Sequence, residues 1–138
     1  RGRRSCCRGC GCSRAWFSDY LKWLTTHPYG VDEMNAKNNH GTCWVMQVAQ
    51  FAKYTGDKEI LDFCRNRYRS VLLPSQMAED GSFPLELKRT KPYGYSLFNL
   101  DAMLRSAIFF RTGKMICGST RWTTVAICKR RLLGCSRI

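Results

Sequence analysis

The sequence predicts an all-α fold, and three observations carry the prediction. Apolar residues recur at helical spacing in successive stretches, Gly, Pro and Asp punctuate those stretches where helices start and stop, and no run of useful length alternates with the two-residue period of a strand. The 138 residues, 44% of them hydrophobic, make one domain of ordinary size with one core. That composition excludes collagen, a coiled coil and a long disordered tail. No stretch approaches about eighteen consecutive apolar residues, and Arg1-Gly2-Arg3-Arg4 lacks the apolar segment of an export signal.

The elements follow in order. Trp16, Phe17, Tyr20, Leu21 and Leu24 lay an apolar stripe on one helix face, and Pro28 to Gly30 stops that run. From about Thr42, Val45, Val48, Ala49, Phe51 and Ala52 form a second stripe, which ends at Thr55-Gly56, where glycine suits the left-handed C-cap. Asp57 caps a third helix whose Ile60, Leu61, Cys64, Tyr68, Val71 and Leu72 share a face, with Glu59 near the positive end of its dipole. These two helices form an antiparallel pair that Pro74 ends. Asp80-Gly81-Ser82-Phe83-Pro84 reads as a turn, and helical periodicity resumes from Leu97 to Met103. Cys43 and Cys64 sit on successive helices and are read as buried thiols.

Charge divides the chain in three. The net charge of +13 and the nine cysteines would suggest a metal-bound nucleic-acid module or a disulfide-bonded secreted protein. All ten acidic residues, however, lie within residues 15–103, where ten Lys and Arg balance them. The excess sits in residues 1–14 and 104–138, which hold no Asp or Glu and seven of the cysteines. Cys7 and Cys10 have zinc-site spacing, but no second pair of matching spacing follows, and no metal ligand set stands out in residues 15–103.

The loops carry the chemistry. Asn38-Asn39-His40-Gly41-Thr42, then Pro84-Leu85-Glu86-Leu87-Lys88-Arg89-Thr90, then Tyr95-Ser96-Leu97-Phe98-Asn99-Leu100 resemble, in this order and with similar spacing, the alginate lyase family. The resemblance runs from about residue 15 to 103 and implies a fragment of an (α/α) toroid, an incomplete barrel of helical hairpins. It also implies β-elimination on a uronic-acid polysaccharide, with an anionic polymer such as alginate as partner, no cofactor, and neither nucleic acid nor membrane. The residue types make sense for that reaction. Removing a sugar C5 proton beside a carboxylate builds charge next to charge, so donors and positive charge must neutralise the carboxylate first. By resemblance Asn39, His40 and Arg89 do this, and Tyr95 is the acid or base. The family places its Arg and Tyr seven residues apart where Arg89 and Tyr95 are six apart, so Tyr93 is a rival. Asn38 suits either a helix cap or substrate contact. Lys88, Arg89 and Lys91 read as a solvated loop or as the basic patch a polyanion needs. Trp44 and Gln47, one turn apart, can each face a sugar, although Trp44 also suits the core.

Both ends show nucleotide rather than structural regularity. Residues 1–14 contain only Arg, Gly, Cys and Ser, each of which a codon with G in second position encodes. From Met103 onward a one-base shift allows an acidic, helix-competent sequence. Residues 104–138 are therefore expected to be read out of frame, and residues 1–14 admit the same account. Two other functions stay open at this point: a nucleic-acid-binding module with basic Cys-rich arms, and a carbohydrate-binding remnant without catalysis. The resemblance further implies export to the periplasm or the cell exterior.

Overall fold

The computed structural model describes residues 10–112, and every regular element among them is helical. The basic end segments 1–9 and 113–138, with Cys7, Cys117, Cys128 and Cys135, lie outside the described residues.

Helix α1 (Cys10–Thr26) buries Leu21 and Leu24 and half-buries Phe17 and Tyr20, as its stripe predicts. Trp16, at the far end of that stripe, is 58% exposed. The run stops at Thr26, where Pro28 leads the sequence to expect it, but no loop follows. Helix α2 (Pro28–Asn35) begins there, because a proline in the first turn forfeits only an N–H that no helix carbonyl would receive, and His27 caps it by accepting the Tyr29 N–H through Nδ1 at 3.3 Å.

Helix α3 (Asn39–Thr55) is the centre of the fold and packs against α1, α2, α4 and α7. It begins three residues before the expected Thr42, since Asn38 supplies the cap: its Oδ1 accepts the His40 N–H at 3.2 Å. Val45, Val48, Ala49 and Ala52 are buried along its length. Gly56 ends it at φ 90°, with its N–H on the Ala52 carbonyl. That left-handed conformation is the one a glycine adopts without strain.

Asp57 Oδ1 accepts the Ile60 N–H at 3.0 Å and opens α4 (Lys58–Arg67). Cys64, Tyr68 and Leu72 are buried as expected, whereas Val71 is turned outward. Pro74 does not break the helix. The chain widens into a π turn over Tyr68–Leu72, in which the Leu73 N–H reaches the Tyr68 carbonyl five residues back, and so carries Pro74 into α5 (Leu73–Gln76). The expected turn is present, with Gly81 N–H on the Ala78 carbonyl and Ala78 N–H on the Ser82 carbonyl. A one-turn helix α6 (Pro84–Leu87) follows, and then α7 (Pro92–Thr112). Helix α7 starts before the expected Leu97 and passes through Met103 without a break, burying Leu104, Ser106 and Phe109.

The core is the space between α3 and its neighbours, filled by Leu21, Trp44, Val48, Tyr68, Leu72 and Met103 among others. Cys43 and Cys64 are free thiols, and burial pushes that of Cys64, a core side chain, up to about 12. Arg67 ties α4 to the end of α2, donating to the Met34 carbonyl at 2.6 Å and to Asn35 Oδ1 at 3.2 Å.

Candidate active site

The Asn38-to-Thr42 segment forms the first turn of α3, and three segments distant in sequence hold it there. The Asn39 N–H, which has no helix acceptor, donates to Glu86 Oε1 at 2.6 Å. Glu86 is buried, and its carboxylate sits where the α3 dipole and the free N–H groups stabilise a negative charge. Gln76 Nε2 donates to the Asn38 carbonyl at 2.9 Å. The Gln76 Oε1 accepts both Thr42 Oγ1 at 2.9 Å and Asn99 Nδ2 at 3.0 Å. One buried amide thereby joins α3, α5 and α7. Gly41 is required by close approach: a Cβ there would run into the Ala36 carbonyl oxygen, so the end of α2 crosses directly over the start of α3.

That crossing brings Glu33 of α2 to His40, with Oε2 at 2.8 Å from Nδ1. Both side chains are about half exposed and line a groove of ≈ 420 Å³ with Tyr20, Trp23, Asn39, Cys43, Trp44, Gln47 and Phe98. A second depression of ≈ 280 Å³ is lined by Asn39, Lys91, Gly94, Tyr95 and Phe98. Asn39 and Phe98 belong to both, so the two depressions adjoin. The Arg89 guanidinium lies over the Tyr95 ring, 4.3 Å from its centroid. On one wall the rings of Tyr20 and Trp23 stack nearly parallel at 15°, and the stack continues beyond the groove to Trp16 and His27. Burial, and then the Glu33 and Glu86 carboxylates, raise the Cys43 thiol above its ordinary value, which keeps it protonated beside His40.

The structure thus gathers Asn39, His40, Trp44 and Tyr95 around one pair of depressions. Trp44 is chiefly a core residue, with Nε1 donating to the Leu24 carbonyl at 3.1 Å, and shows the groove only part of its ring. Arg89 lines neither depression itself but touches Tyr95. Of the two rival tyrosines, Tyr95 is half-buried in the site and Tyr93 is 74% exposed and lines neither depression. Lys88, exposed at the end of α6, and Asn38, spent on the cap, line neither as well. The sequence reading missed Glu33, Glu86 and Gln76. Glu86 stood inside a motif already singled out, and an acid between two leucines is a signal of burial with a partner. Glu33 and Gln76 carry no such local signal, because only the crossing of α2 and α3 and the π turn bring them in.

Residues 12–116 match the family described as alginate lyase. Among solved structures, an alginate lyase from Bacteroides ovatus superposes with a TM-score of 0.74 at 29% sequence identity, over 96% of this chain and 36% of that one. The chain therefore spans little more than a third of that neighbour's length. None of the curated proteins matches it.

Proposed function

This chain belongs to the alginate lyase family, whose fold is a helical toroid, and on that premise we propose that it carries part of the active site of a polysaccharide lyase acting on alginate or a related polyuronate by β-elimination. The observation that supports this most is the junction of the two depressions. Asn39 and His40 stand at the anchored start of α3 on one side, and Tyr95 with Arg89 against its ring stands on the other. A uronate seated across Asn39 meets the Asn39 amide and the Arg89 guanidinium around its carboxylate, with the His40 imidazole beside the sugar. The amide and the guanidinium stabilise the charge that develops as the C5 proton leaves.

Tyr95 supplies the proton transfer. The Arg89 guanidinium lies against its ring, and the Tyr95 oxygen can take the C5 proton as a base or give a proton to the departing glycosidic oxygen as an acid. The C5–H and C4–O bonds break, the C4–C5 double bond forms, and the leaving oxygen takes up a proton. Lys91 in the second depression adds positive charge for the polyanion, and the aromatic wall of Tyr20 and Trp23 offers apolar surface to sugar rings. We further propose, on the same premise, that the protein works outside the cytoplasm, in the periplasm or beyond the cell. Ultraviolet absorbance of unsaturated uronate during incubation with alginate tests the reading. Wild type is expected to produce it, and His40→Ala and Tyr95→Phe are expected to lose it. Equal product from all three would overturn the assignment.

A further inference from the structure

The contact between Glu33 and His40 fixes more than a position. We propose that Glu33 is a positioning residue that holds His40 in its Nδ1–H tautomer, so that Nε2 carries a lone pair and neutral His40 serves the groove as a proton acceptor. The proposal rests on the lyase reading above for its consequence, but the Glu33–His40 contact that carries it is a property of the structure.

For a neutral ring the contact leaves one arrangement. A carboxylate only accepts hydrogen bonds, so at 2.8 Å from Glu33 Oε2 the Nδ1 atom must bear the proton. A neutral imidazole has one N–H, and Nε2 then has none. Nε2 has no protein hydrogen-bond partner among the described residues, and the ring lines the groove. Glu33 is held on a fixed element. His27 and Pro28 set the start of α2, Arg67 grips the Met34 carbonyl and Asn35 at its end, and the Ala36 carbonyl packs over Gly41 immediately after His40. The pair is half exposed, so it contributes little to stability, and its effect is orientation. A neutral His40 held this way cannot donate to a uronate carboxylate. Neutralisation then falls to Asn39 and Arg89, and His40 becomes a second candidate, beside Tyr95, to receive the C5 proton.

The chain contains its own control. It has two histidines, and His27 Nδ1 accepts the Tyr29 N–H, which requires the opposite, Nε2–H tautomer. Long-range proton–nitrogen correlation spectra of the full chain with isotope-labelled histidine, recorded above the imidazole titration range, distinguish the two forms. The expected result is Nδ1–H at His40 and Nε2–H at His27. In Glu33→Ala, His40 should lose its Nδ1–H preference while His27 and the melting temperature stay unchanged. Glu33→Gln, whose amide oxygen still accepts, should keep the wild-type form. With alginate, Glu33→Ala should lower kcat about 10²-fold at nearly constant KM. Nε2–H at His40 in wild type, a tautomer indifferent to Glu33→Ala, or unchanged kcat in that variant would overturn the proposal. A wild-type chain that shows the expected tautomers but forms no unsaturated uronate would instead uphold the Glu33 assignment and count against the lyase function.

Discussion

Glu86 is a carboxylate at 1% exposure, and the first N–H of α3 explains how the fold tolerates it. Charge-assisted hydrogen bonds to buried carboxylates are worth about 1.5–3 kcal/mol, and an orphaned N–H costs a similar amount. Glu86→Ala removes the acceptor and leaves a void, so a loss of about 2–4 kcal/mol in denaturant unfolding is expected. Gln76 has a comparable place, since a single amide serves Asn38, Thr42 and Asn99. Cys64 gives a pH-dependent prediction. Its thiol rises from an ordinary value near 9.0 to about 12 in the fold. A raised folded value means that the stabilisation is complete below pH 9 and is lost as pH climbs toward about 12, because only the unfolded thiol ionises across that window. The stability difference between wild type and Cys64→Ala should therefore shrink over that range, and a constant difference would show that the thiol is not buried as described.

At the scale of elements, the start of α3 decides the site. Asn38→Ala should cost about 1 kcal/mol through loss of the cap. Gly41→Ala should cost about 1–3 kcal/mol by forcing apart the crossing of α2 over α3, and it should reduce lyase rate because the same crossing delivers Glu33 to His40. Thermal unfolding and the alginate assay read the two effects separately. The same element shows how far the sequence was legible. The Val45-to-Ala52 stripe, the Gly56 stop and the Asp57 cap are local signals, and each stands where periodicity and capping chemistry put it. A proline's meaning depends on its register: Pro28 marks the stop of α1 but also sits in the first turn of a new helix, and Pro74 ends nothing because it follows a π turn that tertiary packing selects. Asn39, His40 and Tyr95 were legible as motif residues, whereas their supports, Glu33 and Gln76, come from segments whose local sequence says nothing about where they will meet.

The whole molecule is part of a helical toroid, with α3 flanked by helices on several sides. Trp16, Phe63, Leu87 and Phe98 remain exposed on its surface, and the chain spans 36% of its structural neighbour. Large exposed apolar side chains reduce solubility and favour association. The 138-residue chain is accordingly expected to unfold over a broad range, and a sharp two-state transition in calorimetry would contradict this. The proposed change of reading frame after Met103 is a separate matter, since Leu104, Ser106 and Phe109 are core residues of α7 in the frame as read and the family match continues to residue 116. Resequencing the DNA across the codons for Met103 and Leu104 decides it, because an additional base would replace the basic segment with an acidic one. Elimination chemistry at the junction of the Asn39–His40 and Arg89–Tyr95 sites is tested most directly by the mass of the products formed from alginate oligosaccharides. β-elimination predicts non-reducing ends lighter by one water than those of hydrolysis, formed by wild type and not by Tyr95→Phe. Hydrated ends, or oligosaccharides bound and released intact by wild type, would contradict it.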